Sequence, residues 1–189
     1  MSLLKYTKMP FSFHEGWDQV FAERPSVLKT FLFLVLPFSM IAPAMLMYAG
    51  NHHASAYLMD PSLERWKAVA LTFFVGELLT VPLMGVMIRQ VAAVHKLTAD
   101  FRDTFLLAAI VSIPMCMSSL GLAVPDLWTM IGIVVLGFAI AAALLYHGTY
   151  HVLELKDPIQ AQALSAEVFA AGALMWALLA GFVLLTLMR

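Results

Sequence analysis

The sequence predicts an all-α membrane protein, a bundle of five transmembrane helices with a short interfacial helix before the first. Three observations support this fold class. Apolar residues make up 62% of the chain, against about 45–50% in soluble domains. Charged residues make up only 12%, about half the usual fraction. Five stretches of 21–24 residues cover 109 positions and hold a single formal charge, that of Glu77.

Each stretch is long enough to cross a membrane, because about 20 apolar residues in a helix span a hydrocarbon core of about 30 Å. The apolar stretches are 30–50, 68–88, 104–125, 127–150 and 168–188, and the spans predicted from them are about 27–50, 68–88, 104–124, 127–150 and 165–188. They divide the chain into an N-terminal segment, 1–26, and a five-helix transmembrane domain, 27–189. An ordinary soluble enzyme is excluded by this distribution of charge.

Lys and Arg residues are shared unevenly between the two sides of the predicted bundle. Eight lie on one side, in the N-terminal segment, at Lys29 in the first turn of the first span, and in the loops after the second and fourth spans; three fall on the opposite side. Loops that carry excess positive charge remain in the cytoplasm. We therefore expect a cytoplasmic N-terminus and a C-terminus outside the cytoplasm.

An apolar stripe precedes the first span. Phe13, Trp17, Val20 and Phe21 recur at helical spacing, and acidic residues occupy the opposite face. Such a helix lies along the cytoplasmic membrane surface, or it packs onto the ends of the transmembrane helices. Both interpretations keep this segment at the membrane.

Glu77 is the candidate intramembrane functional residue, because it lies near the middle of the second span. A charged carboxylate at that depth costs roughly 3 kcal/mol or more, so we expect the side chain to face protein or water and to be protonated. Three interpretations remain open. The carboxyl is hydrogen-bonded to a neighbouring Ser, Tyr or kinked carbonyl, it relays protons or couples ions, or it contacts a lipid headgroup or partner helix.

Prolines mark candidate kinks or hinges at Pro82 in the second span and Pro114 in the third. Each proline removes a helical hydrogen bond, and a nearby Ser or Thr hydroxyl can satisfy the carbonyl that it leaves free. Thr80 and Ser112 are placed to do so. Ordinary shaping of the bundle and a moving part of a transporter are both consistent with this pattern.

The fifth span carries small residues on one helical face, and we expect this face to pack closely against another span, such as the fourth. The small residues of the fifth span are Ala166, Ala170, Ala173, Ala177 and Gly181. Those of the fourth span are Gly132, Gly137, Ala139 and Ala143.

Two histidines and a carboxylate share a face at the end of the fourth span. His147, His151 and Glu154 lie at i, i+4 and i+7, a spacing that can hold a metal ion. The alternative is that these amphipathic side chains simply lie at the membrane interface. No histidine lies at mid-depth in any span, so a haem held between helices is not expected. We expect no cofactor.

Signatures of catalysis and of nucleic-acid binding are absent from the sequence. It contains no His-Glu-x-x-His, Gly-x-Ser-x-Gly or phosphate-binding glycine loop. The serines of the third span have no histidine at matching depth to act as a base. Net charge is −1 with no basic stripe, which excludes a nucleic-acid partner. We therefore expect a protein that is not an enzyme.

Several short aromatic and proline motifs together resemble a known family. They are Trp17, Arg24-Pro25, Pro114, the connection Pro125-Asp126-Leu127-Trp128 and the run Leu144-Leu145-Tyr146-His147-Gly148-Thr149-Tyr150. With five spans and a cytoplasmic N-terminus, the chain resembles the Yip1 domain family, including its bacterial inner-membrane branch. The resemblance implies a multi-pass protein of the inner (plasma) membrane with a periplasmic C-terminus, and it brings no catalytic residues.

Two hypotheses of function follow. The first is a non-enzymatic protein of the Yip1 type that acts in membrane organisation, through contacts with lipids, other membrane proteins or further copies of itself. The alternative is a small proton-coupled transporter or channel subunit that uses Glu77, with Pro82 and Pro114 as moving elements.

Overall fold

The computed structural model describes residues 9–14, 16–57 and 62–188, so the predicted N-terminal segment is described only in part. Helix α1 comprises Trp17–Ala22. The longer helices are α2 (Val27–His52), α3 (Leu63–Val94), α4 (Phe101–Ser118), α5 (Leu127–Val152) and α6 (Pro158–Leu187). Within the described ranges there is no strand. The predicted fold class is confirmed, because α2 to α6 are each long and apolar enough to span a membrane.

The helices extend beyond the apolar stretches that predicted them. Helix α3 begins five residues before its predicted span and ends six residues after it, and α6 begins seven residues early. Capping side chains mark the starts of α6 and α2, whereas Ser62 makes no side-chain cap at the start of α3. Asp157 accepts a hydrogen bond from the Ile159 N–H at 2.9 Å, and Ser26 accepts one from the Lys29 N–H at 3.2 Å. Such caps satisfy the free N–H groups of the first helical turn.

Four helices form a closed ring in which α3, α4, α5 and α6 each pack against the next and α6 returns to α3. Helix α2 lies outside the ring, along α3 and against a short 3₁₀ turn, Ser119–Ala123, that extends α4. The α3–α4 crossing is close at Gly85, where a Cβ atom would lie 2.9 Å from the Cα of Phe105. Small residues permit this approach of two backbones.

The small-residue face of α6 does not pack against α5, and the prediction that it would is wrong. Three of its alanines are exposed: Ala166, Ala170 and Ala177. Among the described residues, nothing lies within 4 Å of the position that a Cβ would take at Gly132 or Gly181. The two helices instead meet through aromatic rings, with Phe138 4.9 Å from Trp176 and 6.0 Å from Phe169. The two helices therefore pack through bulky side chains, and of the small-residue face Ala173 lines the space between the ring helices.

Helix α2 widens at a π-helical turn, Phe31–Val35, two residues before Pro37. Proline lacks an N–H, and its ring clashes with the carbonyl four residues earlier in a regular helix. The wider turn relieves that clash.

Pro82 and Pro114, by contrast, lie inside continuous α-helix. The Thr80 and Ser112 hydroxyls each donate to the carbonyl three residues before them, at 3.1 and 2.8 Å. Each proline frees the carbonyl four residues before it, which belongs to the residue after the one that the hydroxyl contacts. The two hydroxyls therefore donate to neighbouring carbonyls and not to the freed ones. That these prolines act as hinges stays a prediction.

Candidate functional site: a cavity around Glu77

A partly enclosed cavity of about 120 Å³ lies inside the ring, and all four ring helices line it. Its wall is mostly apolar, with Met84, Ile88, Met115, Phe138, Leu145, Phe169 and Trp176 among the lining side chains. The polar side chains of the lining are Glu77, Thr80, Ser112 and Cys116. Because both hydroxyls already donate to helix carbonyls, the Glu77 carboxyl is the polar group best placed to meet a ligand.

The two carboxyl oxygens of Glu77 have different surroundings. Oε1 accepts a weak hydrogen bond from the Cys116 thiol, with 3.8 Å between Sγ and Oε1. Oε2 is buried and has no hydrogen-bond partner among the described residues. A buried polar atom without a partner costs about 1–3 kcal/mol. Oε2 is therefore available to water or to a ligand that enters the cavity.

Sequence reasoning located Glu77 but missed Cys116. The available signal was depth, because Glu77 lies near the middle of the predicted span 68–88 and Cys116 lies two residues past the middle of the predicted span 104–124. The sequence predicted a Ser, a Tyr or a kinked carbonyl as the partner of the carboxyl. The partner observed at Oε1 is instead the Cys116 thiol.

The cavity is elongated along the bundle. Glu77 and Ile88 both line it, and eleven residues of helix correspond to about 16 Å. Its volume would hold several water molecules at about 10–15 Å³ each. A segment of a lipid chain also matches a long, narrow and apolar space of this kind.

A second arrangement joins the N-terminal segment to the end of α5, and we call it the N-terminal junction. Trp17 is fully buried, its indole Nε1 donates to the Met9 carbonyl at 3.0 Å, and its ring lies against Gly148. Phe13 lies 4.3 Å from the ring of Tyr150. These contacts favour the second interpretation of the apolar stripe, a helix packed onto the ends of the spans.

Residues 8–179 match the Yip1 domain. The chain belongs to the Yip1 domain family. The match includes both the cavity and the N-terminal junction, and it confirms the resemblance seen in the short motifs. Neither the curated proteins nor the solved structures contain a match.

In this Yip1 domain, the connection before α5 acts as a helix cap. Asp126 precedes the first residue of α5 and accepts a hydrogen bond from the Thr129 N–H at 2.7 Å. Hydrogen bonds from the hydroxyl and the backbone N–H of Thr129 hold the pKa of Asp126 below its usual 3.8.

The predicted metal-ligating trio at the end of α5 does not come together. The Nδ1 atom of His147 lies 2.8 Å from the Ala143 carbonyl oxygen. Helix α5 ends at Val152, and Glu154 has φ 49°, so the i+7 position no longer lies on the same helical face. Of the three, only His151 belongs to a group that brings ligand atoms close together.

Proposed function

We propose that this Yip1 domain protein acts without catalysis and serves membrane organisation by holding lipid in the cavity of its helix ring. The cavity is the observation that carries this proposal, because it combines an apolar wall with one available carboxyl oxygen. A lipid chain would fill the apolar space, and an ester or hydroxyl group of the lipid would pair with Glu77.

The polar residues of the cavity do not favour catalysis. An intramembrane hydrolase needs a nucleophile paired with a base, or two carboxyls at matching depth. Among the residues that line the cavity there is one carboxyl and no imidazole. Binding needs only the apolar wall and one polar contact.

Native mass spectrometry of the full chain, released from detergent micelles, tests lipid retention. Ala141 is buried and lines the cavity, so Ala141→Phe fills it. Ala177 is exposed on the outside of α6, so Ala177→Phe is the matched control. We expect wild type and Ala177→Phe to retain one lipid per chain, and Ala141→Phe to lose it.

Two results would contradict lipid binding in the cavity. One is a wild-type protein that carries no lipid, and the other is an Ala141→Phe protein that retains it. Thermal unfolding checks that the filled variant is folded. Should it unfold, Ser112→Leu fills the same cavity from a half-buried position on α4.

A second candidate function is proton-coupled transport through the ring, with Glu77 as the proton carrier and Pro82 and Pro114 as moving elements. One observation favours it: Oε2 has no partner, and the cavity beside it has room for water. Proton transfer to and from a carboxyl requires contact of this kind with water.

Carbodiimide labelling of Glu77 in native membranes distinguishes the two functions, because carbodiimides modify a protonated carboxyl. The Glu77→Gln protein supplies the blank. Labelling that changes between pH 5 and 9, with faster collapse of a proton gradient in wild-type vesicles than in Glu77→Gln vesicles, supports transport. Equal proton flux for the two proteins across pH 5–8 excludes it.

We also propose an inner-membrane location with a cytoplasmic N-terminus and a periplasmic C-terminus. The asymmetry of Lys and Arg between the loops supports this orientation. Reporter fusions at residues 1 and 189 should lie on opposite sides of the membrane. Fusions that report the same side would contradict five spans.

A further inference from the structure

Three metal-ligating side chains meet at the N-terminal junction. They are His14, Asp18 and His151, and one ligand atom of each lies within 4.8 Å of the other two. Asp18 Oδ1 lies 3.4 Å from the Nδ1 atom of His151 and 3.8 Å from that of His14. One carboxylate is therefore shared by two imidazoles from segments that are far apart in the sequence.

Local structure places the first two groups together. The Asp18 N–H donates to the His14 carbonyl at 3.2 Å, which closes a helical turn. Residues four apart in such a turn have neighbouring side chains. The i, i+4 arrangement of an imidazole and a carboxylate therefore follows from the backbone of the N-terminal segment.

Aromatic packing brings in the third group without help from a metal. Phe21 lies 5.4 Å from the ring of His151, and Trp17 is buried against Gly148. These contacts hold α1 at the end of α5, so the three ligands are already close to one another. His14 and Asp18 are mostly exposed, at 75% and 65%, and His151 is 20% exposed, which leaves a path for an ion.

The set of donors and their spacing fit zinc. Two imidazole nitrogens and a carboxylate oxygen are common ligands of Zn²⁺, with bonds of about 2.0–2.2 Å. In a tetrahedral site with such bonds, neighbouring ligand atoms lie about 3.3–3.5 Å apart. The distance of 3.4 Å between Asp18 and His151 already matches. The exposed His14 side chain must rotate to bring its ring nitrogen, 3.8 Å from Asp18 and within 4.8 Å of the His151 ligand atom, to the same spacing.

We propose that His14, Asp18 and His151 bind a divalent transition-metal ion, zinc by preference, that fastens α1 to the end of α5. Three protein ligands leave the fourth position to water. Bound metal stabilises the docked position of the N-terminal segment, because the ion binds only where all three ligands meet.

Binding of Co²⁺ tests the site, because tetrahedral Co²⁺ gives an intense visible absorption that Zn²⁺ abolishes when it displaces the cobalt. The full chain is purified without a histidine tag and placed in lipid nanodiscs. We expect one Co²⁺ per chain in the wild type. His14→Ala and Asp18→Asn should weaken binding at least about tenfold, since even outer-shell partners of a metal contribute about 10–100-fold.

His147→Ala is the matched control, because this histidine lies on the same end of α5 but outside the trio. It should bind Co²⁺ like the wild type. Zn²⁺ should also slow hydrogen exchange at residues 17–22 in the wild type and in His147→Ala, but not in His14→Ala. His14 is exposed, so its variant should fold even if a His151 variant does not.

Two outcomes overturn the proposal. One is a wild type that binds no Co²⁺ up to millimolar concentration, which would leave the trio as ion pairs only. The other is equal affinity in the wild type and the His14 and Asp18 variants, which would place the metal elsewhere. Neither outcome depends on lipid in the cavity, because the trio and Glu77 share no residue.

Discussion

The cavity and the N-terminal junction hold their polar groups in opposite ways. The cavity surrounds one carboxyl with apolar side chains, halfway along α3. At the junction, two imidazoles and a carboxylate lie close together at the exposed end of α5, next to packed aromatic rings. In lipid a buried polar group is costly and occurs alone or paired, whereas at the interface several polar groups cluster without that cost.

The two regions also differ in what holds them together. The cavity exists because four helices surround it, so its shape depends on the helix crossings of the ring. The junction depends on a six-residue helix, and such a short helix is not stable without tertiary contacts. Loss of its contacts should therefore unfold the junction alone, whereas the cavity should change shape only when the crossings of the ring helices change.

Trp17→Ala should disrupt the junction and leave the cavity intact. The indole is fully buried and donates to the Met9 carbonyl, and removal of a buried Trp side chain costs about 3–5 kcal/mol. Hydrogen exchange at residues 17–22 should rise toward that of an unfolded segment. Binding of Co²⁺ should disappear, while the ring helices keep their protection.

Phe11→Ala provides the control for this prediction, because Phe11 is 83% exposed. Hydrogen exchange at residues 17–22 of this variant should match that of the wild type. Continued protection of residues 17–22 in the Trp17 variant would mean that other contacts hold α1.

Gly85→Ala should disrupt the ring instead. Its Cβ would lie 2.9 Å from the Cα of Phe105, and because this neighbour is backbone, the two helices must separate. Overpacking of this kind costs about 1–3 kcal/mol, so thermal unfolding should occur at a lower temperature. Gly132→Ala, with no described atom within 4 Å of its Cβ, should unfold like the wild type. An unchanged midpoint for Gly85→Ala would show that α4 moves freely against α3.

The existence of the spans could be predicted from the sequence, but their order around the ring could not. A bilayer demands about 20 apolar residues per helix, and this demand appears directly in the sequence. A helix that is apolar all round carries no periodic signal for the face that meets its neighbour. The small-residue face of α6 was therefore assigned to the wrong contact, while aromatic rings such as Trp176 make the actual one.

Glu77 could be found from the sequence because it is the single charge inside five apolar stretches. The cavity and Cys116 could not, because both depend on which helices are neighbours. At the junction, the sequence indicated His151 and missed His14 and Asp18, which lie more than 130 positions away. Sites formed by residues far apart in the sequence cannot be predicted without the tertiary structure.

Glu77→Met should separate stability from function in the cavity. Methionine has a similar length, and it removes a buried oxygen that has no described partner. Replacement of an unsatisfied polar group by an apolar one of similar shape is neutral or stabilising, here by up to about 1 kcal/mol. Thermal unfolding should therefore be unchanged or shifted slightly upward, while carbodiimide labelling is lost.

Leu79→Met, at an exposed position two residues along α3, controls for the introduction of methionine. A large drop in the unfolding midpoint of Glu77→Met alone would mean that the carboxyl is part of the structural core. Unchanged stability would indicate that the carboxyl is retained for its function.

Asp126→Asn should have the smallest effect and should leave both regions intact, because Asp126 caps α5 at the end remote from the junction. Hydrogen bonds from Thr129 hold the folded-state pKa of Asp126 below 3.8. The ionised cap therefore stabilises the protein above pH 3.8 and loses this contribution as pH falls through the lowered pKa. The wild type should unfold at a slightly higher temperature than Asp126→Asn at pH 6, and the difference should vanish in strong acid. A difference that persists there would mean that the side chain acts through its shape rather than its charge.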